Sequence, residues 1–153
     1  MTRGRAPVVV PSGGFLRPAG ERFEHGREDP QSFRERWLDV GALRREVLGG
    51  QTWLPALRDP VTDRSVRHER RPLPDHAVVV VAGLFLLDHG LPAALTVHVA
   101  LSPAALLRRG RPPWQVEALE AYDADARPGE HCDVLVRAED PLRPAVLVRQ
   151  VSR

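Results

Sequence analysis

Three amino acids are absent from this sequence of 153 residues: lysine, asparagine and isoleucine do not occur, and all 22 basic residues are arginine. Without lysine, the chain cannot form a Schiff base, and it cannot contain a phosphate-binding loop that ends in Gly-Lys-Ser/Thr. The single cysteine, Cys132, excludes an intramolecular disulfide and a zinc site with several cysteine ligands. We therefore predict no metal site, and the six histidines show no ligand spacing that would contradict this.

Long apolar runs are also missing. The longest, at residues 77–87, is well short of the roughly 20 residues of a membrane-spanning helix. The first residues, Met-Thr-Arg-Gly-Arg, lack the apolar stretch of a secretory signal, so we expect a cytoplasmic protein with no membrane partner. The net charge is only +2, and no nucleic-acid-binding motif is present, so nucleic acid is not an expected partner.

The composition, with 42% hydrophobic and 27% charged residues, is typical of a globular protein, and the length predicts one domain over residues 1–153. The β-branched run at residues 77–81 predicts a parallel strand that is covered on both faces. Strands and helices alternate, which predicts an α/β fold with three layers and a mostly parallel sheet. The other predicted elements are strands at 6–10, 95–99, 132–136 and 145–151, a loop at 17–29, helices that begin at Pro30, before Leu43, at Ser102 and near Trp114, and an irregular hairpin of residues 53–57 and 65–69.

Residues 14–48, GFLRPAGERFEHGREDPQSFRERWLDVGALRREVL, resemble the uridine kinase-like proteins of the phosphoribulokinase and uridine kinase group. Later landmarks match in order: LPAL at 54–57, VAGLFL at 81–86, LSP at 101–103 and PAV at 144–146. The resemblance extends from about Arg5 to about Val148. It implies a P-loop kinase-like fold and a family activity in which ATP, with Mg²⁺, phosphorylates the 5′-hydroxyl of a nucleoside.

The resemblance also implies roles for individual residues. The loop segment Phe23-Glu24-His25 is similar to the segment with which uridine kinases hold the nucleoside. The implied substrate-binding residues are Phe15, Arg17, Phe23, His25 and Arg27, and the implied lid residues, which neutralise phosphate charge, are Arg108 and Arg109.

Two departures from the family affect catalysis. The family begins with a strand, a Gly-rich loop ending in Gly-Lys-Ser/Thr, and a helix, and this sequence starts after all three. Gly13 and Gly14 stand where the family has an acidic residue before Phe15, and glycine cannot act as a base. We therefore assign no catalytic residue, treat binding of ATP and Mg²⁺ by this chain as doubtful, and expect an inactive or truncated kinase. In-frame translation upstream of Met1 is expected to show the strand and the loop.

Other interpretations of the same residues stay open. Phe23 is also a suitable loop aromatic over the core, Arg17 and Arg27 have Glu21, Glu24 and Glu28 as possible ion-pair partners, and Arg108 and Arg109 suit the last turn of a helix. The function hypotheses are an enzyme fragment, a non-catalytic nucleoside-binding or regulatory protein, and an arginine-rich nucleic-acid binder. A missing central strand would leave open sheet edges, so we also expect self-association or a partner chain.

Overall fold

The computed structural model describes residues 7–149, which form a mixed α/β structure. This part of the chain divides into two compact units, which are described separately. The first unit comprises residues 7–27 and 35–84, and the second comprises residues 28–34 and 85–149. Within the described range, no helix has both the length and the apolar character needed to cross a membrane. In chain order, the elements are β1 (Pro7–Pro11), α1 (Ala19–Arg22), α2 (Pro30–Glu35), α3 (Val40–Val47), β2 (Thr52–Trp53), β3 (Arg71–Pro72), β4 (Val78–Ala82), β5 (Val97–Ala100), α4 (Pro103–Arg108), α5 (Pro113–Ala126), α6 (Pro128–His131), β6 (Val134–Arg137) and β7 (Ala145–Val148).

The first unit is organised around the parallel pair β1 and β4, with Val8 opposite Val79 and Val10 opposite Val81. Val8 and Val10 point into the core, because alternate residues of a strand face opposite sides. On the other face, Val78 and Val80 are 40% and 43% exposed. The prediction of a strand at residues 77–81 is confirmed, but the prediction that both of its faces are covered is wrong.

Helix α3 supplies much of the remaining core of the first unit. It begins after Asp39, whose carboxylate accepts a hydrogen bond from the Ala42 N–H at 2.8 Å. Leu43 and Val47 are buried on one side of the helix, as the apolar spacing predicts.

The predicted irregular hairpin is present in part. Arg58 and Ser65 form an isolated antiparallel bridge, and the Val66 N–H donates to the Leu57 carbonyl. The regular strand pairing lies farther from the turn of the hairpin, between β2 and β3.

The second unit contains a three-stranded sheet in the order β5-β6-β7. Strands β5 and β6 are parallel, whereas β6 and β7 are antiparallel. The predicted α/β class is therefore confirmed. The described strands form three small sheets instead of the one mostly parallel sheet that was predicted, with the pairs β1–β4 and β5–β6 parallel and the pairs β2–β3 and β6–β7 antiparallel. The predicted three-layer, P-loop kinase-like arrangement stays a prediction. The predicted strand ends at Ala6 and Val151 lie outside the described residues.

An aromatic cluster forms the core of the second unit. The Phe33 ring meets the rings of Phe85 and Trp114 edge to face, with centroids 5.2 Å away in each case. Tyr122 meets Phe85 in the same way at 5.2 Å. Helix α2 presents Phe33 and begins as predicted, because the Asp29 carboxylate accepts from the Ser32 N–H at 2.6 Å.

Two short helices were not predicted. Helix α1 lies inside the segment expected to be a loop, and α6 precedes β6; each has four residues. A single turn is too short to show apolar periodicity, so the sequence carries no signal for it.

Candidate functional site

The segment that carries all five predicted substrate-binding residues follows β1. It begins with a turn of 3₁₀ helix at Ser12–Phe15. The Phe15 side chain is 1% exposed, which places it in the core of the first unit. Its carbonyl accepts from the Asp39 N–H at 2.9 Å, and the Arg17 N–H donates to the Trp37 carbonyl at 2.8 Å. These bonds hold the start of the loop against the segment that precedes α3.

Gly14 lies in close contact with the following hairpin. A Cβ atom at this position would be 2.6 Å from the Ala56 Cβ, and the Gly14 carbonyl accepts from the N–H groups of Leu57 and Arg58. At Gly13, the nearest atom to an added Cβ is 3.9 Å away, on Pro60. A carboxylate in place of Gly14 would therefore collide with backbone and side-chain atoms, whereas Gly13 has room for a side chain.

Arg22 anchors the loop. Its Nη2 donates to Asp63 Oδ1 at 2.9 Å, and its Nε donates to the Arg17 carbonyl at 2.8 Å. Asp63 Oδ2 accepts from the Ala19 N–H at 2.9 Å. The Ala19 N–H, followed by the Arg22 guanidinium, lowers the pKa of the Asp63 carboxyl below its ordinary value.

The Arg22 guanidinium also takes part in an aromatic arrangement. It lies 4.8 Å from the centroid of the Phe23 ring and 4.9 Å from that of Trp37. The two rings meet edge to face, with centroids 5.5 Å apart. Arg27 is exposed, and its guanidinium lies over the Phe23 ring at 4.9 Å. Phe23 is thus held by a tryptophan and two arginines, one of them buried.

The structure brings together some of the predicted site residues and not others. Phe23 and Arg27 are in contact, while the exposed Arg17 pairs with Glu21 at 3.6 Å. The exposed His25 lies 3.9 Å from Glu24. We refer to Arg17, Phe23, His25 and Arg27 as the loop surface.

Arg108 and Arg109, the predicted lid residues, lie in the second unit at the end of α4. Arg108 is exposed, and Arg109 Nη2 donates to the Ala138 carbonyl at 2.7 Å. Both arginines contribute to lowering the pKa of Glu139, although the hydrogen bonds from Ser102 contribute more. A helix C-terminus carries a partial negative charge, which favours cationic side chains such as these two arginines.

The sequence interpretation did not include Arg22, Trp37 or Asp63 among the candidate residues. Arg22 and Asp63 are separated by 41 positions along the chain. Arg22 resembles any other arginine in sequence, so no local signal could have identified its ion pair.

Among residues 7–149, no group of three or more histidine, cysteine or acidic side chains is placed to hold a metal ion. The ATP and Mg²⁺ of the family lack a matching donor set here, since the sequence contains no lysine and Gly14 leaves no space for an acid. Comparisons with models of protein families, with curated proteins and with solved structures find no match for this chain.

Proposed function

We propose that this protein is a nucleoside kinase-like domain that binds a nucleoside or nucleoside monophosphate at the loop surface and does not itself transfer a phosphoryl group. The observation that carries the proposal is the exposed Arg27 guanidinium, which lies over the Phe23 ring at 4.9 Å from its centroid. Trp37 and Arg22 hold this ring from within the same unit. The resemblance of residues 14–48 supports the ligand class.

The exposed Arg27 suits recognition of a phosphate. A guanidinium carries its N–H donors in one plane, and this fork matches the geometry of two phosphate oxygens. The planar group also offers a face on which a nucleobase stacks. The exposed His25 adds a donor or acceptor close by in the sequence for a ribose or base.

The loss of catalysis follows from residue types. Phosphoryl transfer depends on cations that neutralise the transferred group and on a residue that accepts the proton of the attacking hydroxyl. Lysine is absent, and at the position of the family's acid the chain has Gly13 and Gly14. The second of these glycines is also required by packing against Ala56.

Calorimetric titration with uridine, uridine monophosphate and inorganic phosphate tests the proposed binding. We expect uridine monophosphate to bind more tightly than uridine or phosphate. Its base can stack on the Arg27 guanidinium and its phosphate can accept from the N–H donors of the loop surface, whereas each of the other ligands can make only one of these contacts. Arg27→Gln and Phe23→Leu should each weaken binding on the order of tenfold, the effect of losing one charge-assisted or stacking contact. Arg67→Gln, at an exposed arginine elsewhere in the first unit, is the matched control and should bind like the wild type. No binding of any of the three ligands, or an equal loss in the control, would contradict the proposal.

A phosphate-transfer assay with labelled ATP and a nucleoside panel tests the absence of catalysis. We expect neither ATP hydrolysis nor phosphorylation of uridine or cytidine. Turnover that is lost on replacing Arg108 or Arg109 would show that the chain retains catalysis.

A further inference from the structure

A hollow of about 390 Å³ lies in the second unit, between the sheet and helices α5 and α6. Its floor is a row of side chains across the three strands, since the register places His98 beside Leu135 and Leu135 beside Leu147. Gly129 of α6 lies over this row, and a Cβ atom there would be 3.8 Å from Leu135 and 4.0 Å from His98. A side chain larger than alanine at Gly129 would therefore enter the hollow. The volume of the hollow is within the range of small-molecule sites, which begins at roughly 300 Å³.

The charged side chains around the hollow carry a net positive charge. They are three arginines and two acids: Arg127, Arg137, Arg149, Asp123 and Glu130. Arg127 and Glu130 balance each other in an ion pair of 3.3 Å. His98 lies 3.6 Å from Asp123, but burial lowers the pKa of this histidine, so its ring is uncharged at neutral pH. Asp123 and the two remaining arginines therefore leave one positive charge in excess.

Arg137 is the arginine of this group that is open to a ligand. It is exposed, and its guanidinium has no ion-pair or hydrogen-bond partner among the described residues. Arg149, in contrast, donates to the carbonyls of Gly129 and Cys132 at 2.6 Å and 2.7 Å. Arg137 follows Leu135 by two positions in β6, so the two side chains lie on the same face of the sheet. An unpaired positive charge therefore adjoins the apolar floor of the hollow.

We propose that this hollow binds a small organic carboxylate with an apolar body. The planar fork of Arg137 donates two hydrogen bonds to the carboxylate, which is the geometry in which arginine pairs with carboxylates. The apolar body covers Leu147, which is 52% exposed, and reaches Leu135 below Gly129. The hollow lies wholly in the second unit, so this proposal does not depend on nucleoside binding at the loop surface.

Other small ligands match only part of the hollow. A neutral apolar molecule leaves the charge of Arg137 without a partner, and a small anion without an apolar body leaves Leu147 exposed. A phosphate monoester carries about two negative charges at neutral pH, and the Asp123 carboxylate on the helix side repels the second of them. A singly charged carboxylate with an apolar body satisfies both the charge and the apolar floor.

Octanoate is the probe for this site, and three further ligands each change one property. Octanol lacks the charge, acetate lacks the apolar body, and octyl phosphate carries the additional charge. Binding is measured by ligand-observed NMR at low micromolar protein concentration. We expect octanoate to bind on the order of tenfold more tightly than octanol or acetate, because each of these loses the charge-assisted contact or the buried chain. It should also bind more tightly than octyl phosphate, and uridine monophosphate should not displace it, because the loop surface is in the other unit.

Variants of the protein test the charge and the space separately. Arg137→Gln should weaken octanoate binding on the order of tenfold and leave octanol binding unchanged. Arg143→Gln, at another exposed arginine of the second unit that does not line the hollow, is the matched control. Gly129→Leu fills the hollow and should weaken binding of both octanoate and octanol. Gly20→Leu, at a helical glycine with no atom within 4 Å of an added Cβ, should have no effect.

Asp123→Asn tests the charge balance with the opposite sign. It removes a negative charge from the lining of the hollow with little change in shape. We expect octanoate binding to strengthen on the order of threefold, which is the size of an exposed charge interaction. Weaker octanoate binding in this variant would contradict the proposed role of charge in the hollow.

Circular dichroism and cooperative unfolding like those of the wild type show that Gly129→Leu is folded. If it does not fold, Arg137→Gln decides the test, because an exposed and unpaired arginine can be replaced without loss of the fold. Octanoate binding that is unchanged in Arg137→Gln, or reduced equally in Arg143→Gln, overturns the proposal. Equal binding of octanol, or tighter binding of octyl phosphate, overturns it as well, because the ligand class would then not be a carboxylate.

Discussion

Gly14 has no room for a side chain, since a Cβ atom there would lie 2.6 Å from the Ala56 Cβ and 3.2 Å from the Pro55 carbonyl oxygen. We expect Gly14→Ala to lower the free energy of unfolding by about 2 kcal/mol, because backbone and side chain must shift to admit the methyl group. Gly13→Ala is the matched control, since its nearest neighbour would be 3.9 Å away. Chemical denaturation of both variants measures the difference, and equal stabilities would show that the contact at Gly14 relaxes without cost.

Arg22 is nearly buried, with a side chain that is 7% exposed and paired to Asp63. Arg22→Ala leaves the Asp63 carboxylate without this partner and removes the guanidinium from the rings of Phe23 and Trp37. We expect a loss of about 2 kcal/mol in unfolding free energy, less than for a fully buried pair because Asp63 is partly exposed. The exposed Arg17, which pairs with Glu21, provides the control: Arg17→Ala should change stability by about 0.5 kcal/mol or less. Comparable losses in the two variants would contradict the anchoring role of Arg22.

The Asp63 carboxyl should also make the free energy of unfolding depend on pH. Its pKa is lowered in the folded state by the Ala19 N–H and then by Arg22, whereas an unfolded aspartate titrates near pH 3.9. The carboxylate therefore stabilises the fold fully above about pH 4, and this contribution is lost as the pH falls through the folded-state pKa. We expect Asp63→Asn to be less stable than the wild type at neutral pH and to lose less stability on acidification. Denaturation curves at a series of pH values measure this, and parallel pH profiles would contradict the assignment to Asp63.

At the residue scale, the sequence pointed to residues of the loop that follows β1. It did not point to the Arg22–Asp63 pair that holds this loop. Phe23, His25 and Arg27 are candidates because their segment resembles the nucleoside-holding segment of uridine kinases, and their binding role stays a prediction. Phe15 was grouped with them and lies in the core. A hydrophobic ring after a turn has the same sequence pattern in a binding loop and in a core, and burial is decided by the segments that fold over it.

Helix α4 begins at a cap that is recognisable from the sequence. The Ser102 Oγ accepts from the Ala105 N–H at 3.2 Å and donates to Glu139 Oε2 at 2.9 Å, and the Ser102 N–H donates to the same carboxylate. Ser102→Ala is expected to cost about 1 kcal/mol in unfolding free energy, the usual effect of losing an N-terminal cap. Thermal or chemical unfolding followed by circular dichroism measures it. Ser102→Thr keeps the hydroxyl and should recover most of the stability; failure to recover would point to a cause other than the cap.

At the scale of elements, the sequence predicted where the strands lie along the chain. It did not predict which faces of the strands are buried. The β-branched run at residues 77–81 predicted β4 to within one residue. Its burial on both faces was inferred from the absence of polar residues, yet Val78 and Val80 are well exposed. Apolarity shows that a face is suited to burial, but whether it is buried depends on which other elements pack against it.

The chain as a whole exposes apolar surface in each unit. Val9, Val78 and Val80 are exposed on the β1–β4 pair. On the sheet of the second unit, four valines on one face are exposed: Val97, Val99, Val146 and Val148. Exposed apolar patches promote association in solution. We expect the protein alone to self-associate with rising concentration or to be poorly soluble, and to bind an apolar dye. Sedimentation at low micromolar concentration measures this, and a single 17 kDa species that unfolds cooperatively would contradict it.

The sequence by itself determined the alternation of strands and helices, the caps at Asp29 and Ser102, and the exclusion of lysine chemistry. Each of these depends on residue type or on neighbours within a few positions. Only the tertiary structure decided the Arg22–Asp63 pair, the burial of Phe15, the antiparallel direction of β7 and the open faces of both strand groups. These features depend on contacts between residues far apart in the chain, and a side chain's burial is a property of what packs against it rather than of its own chemistry.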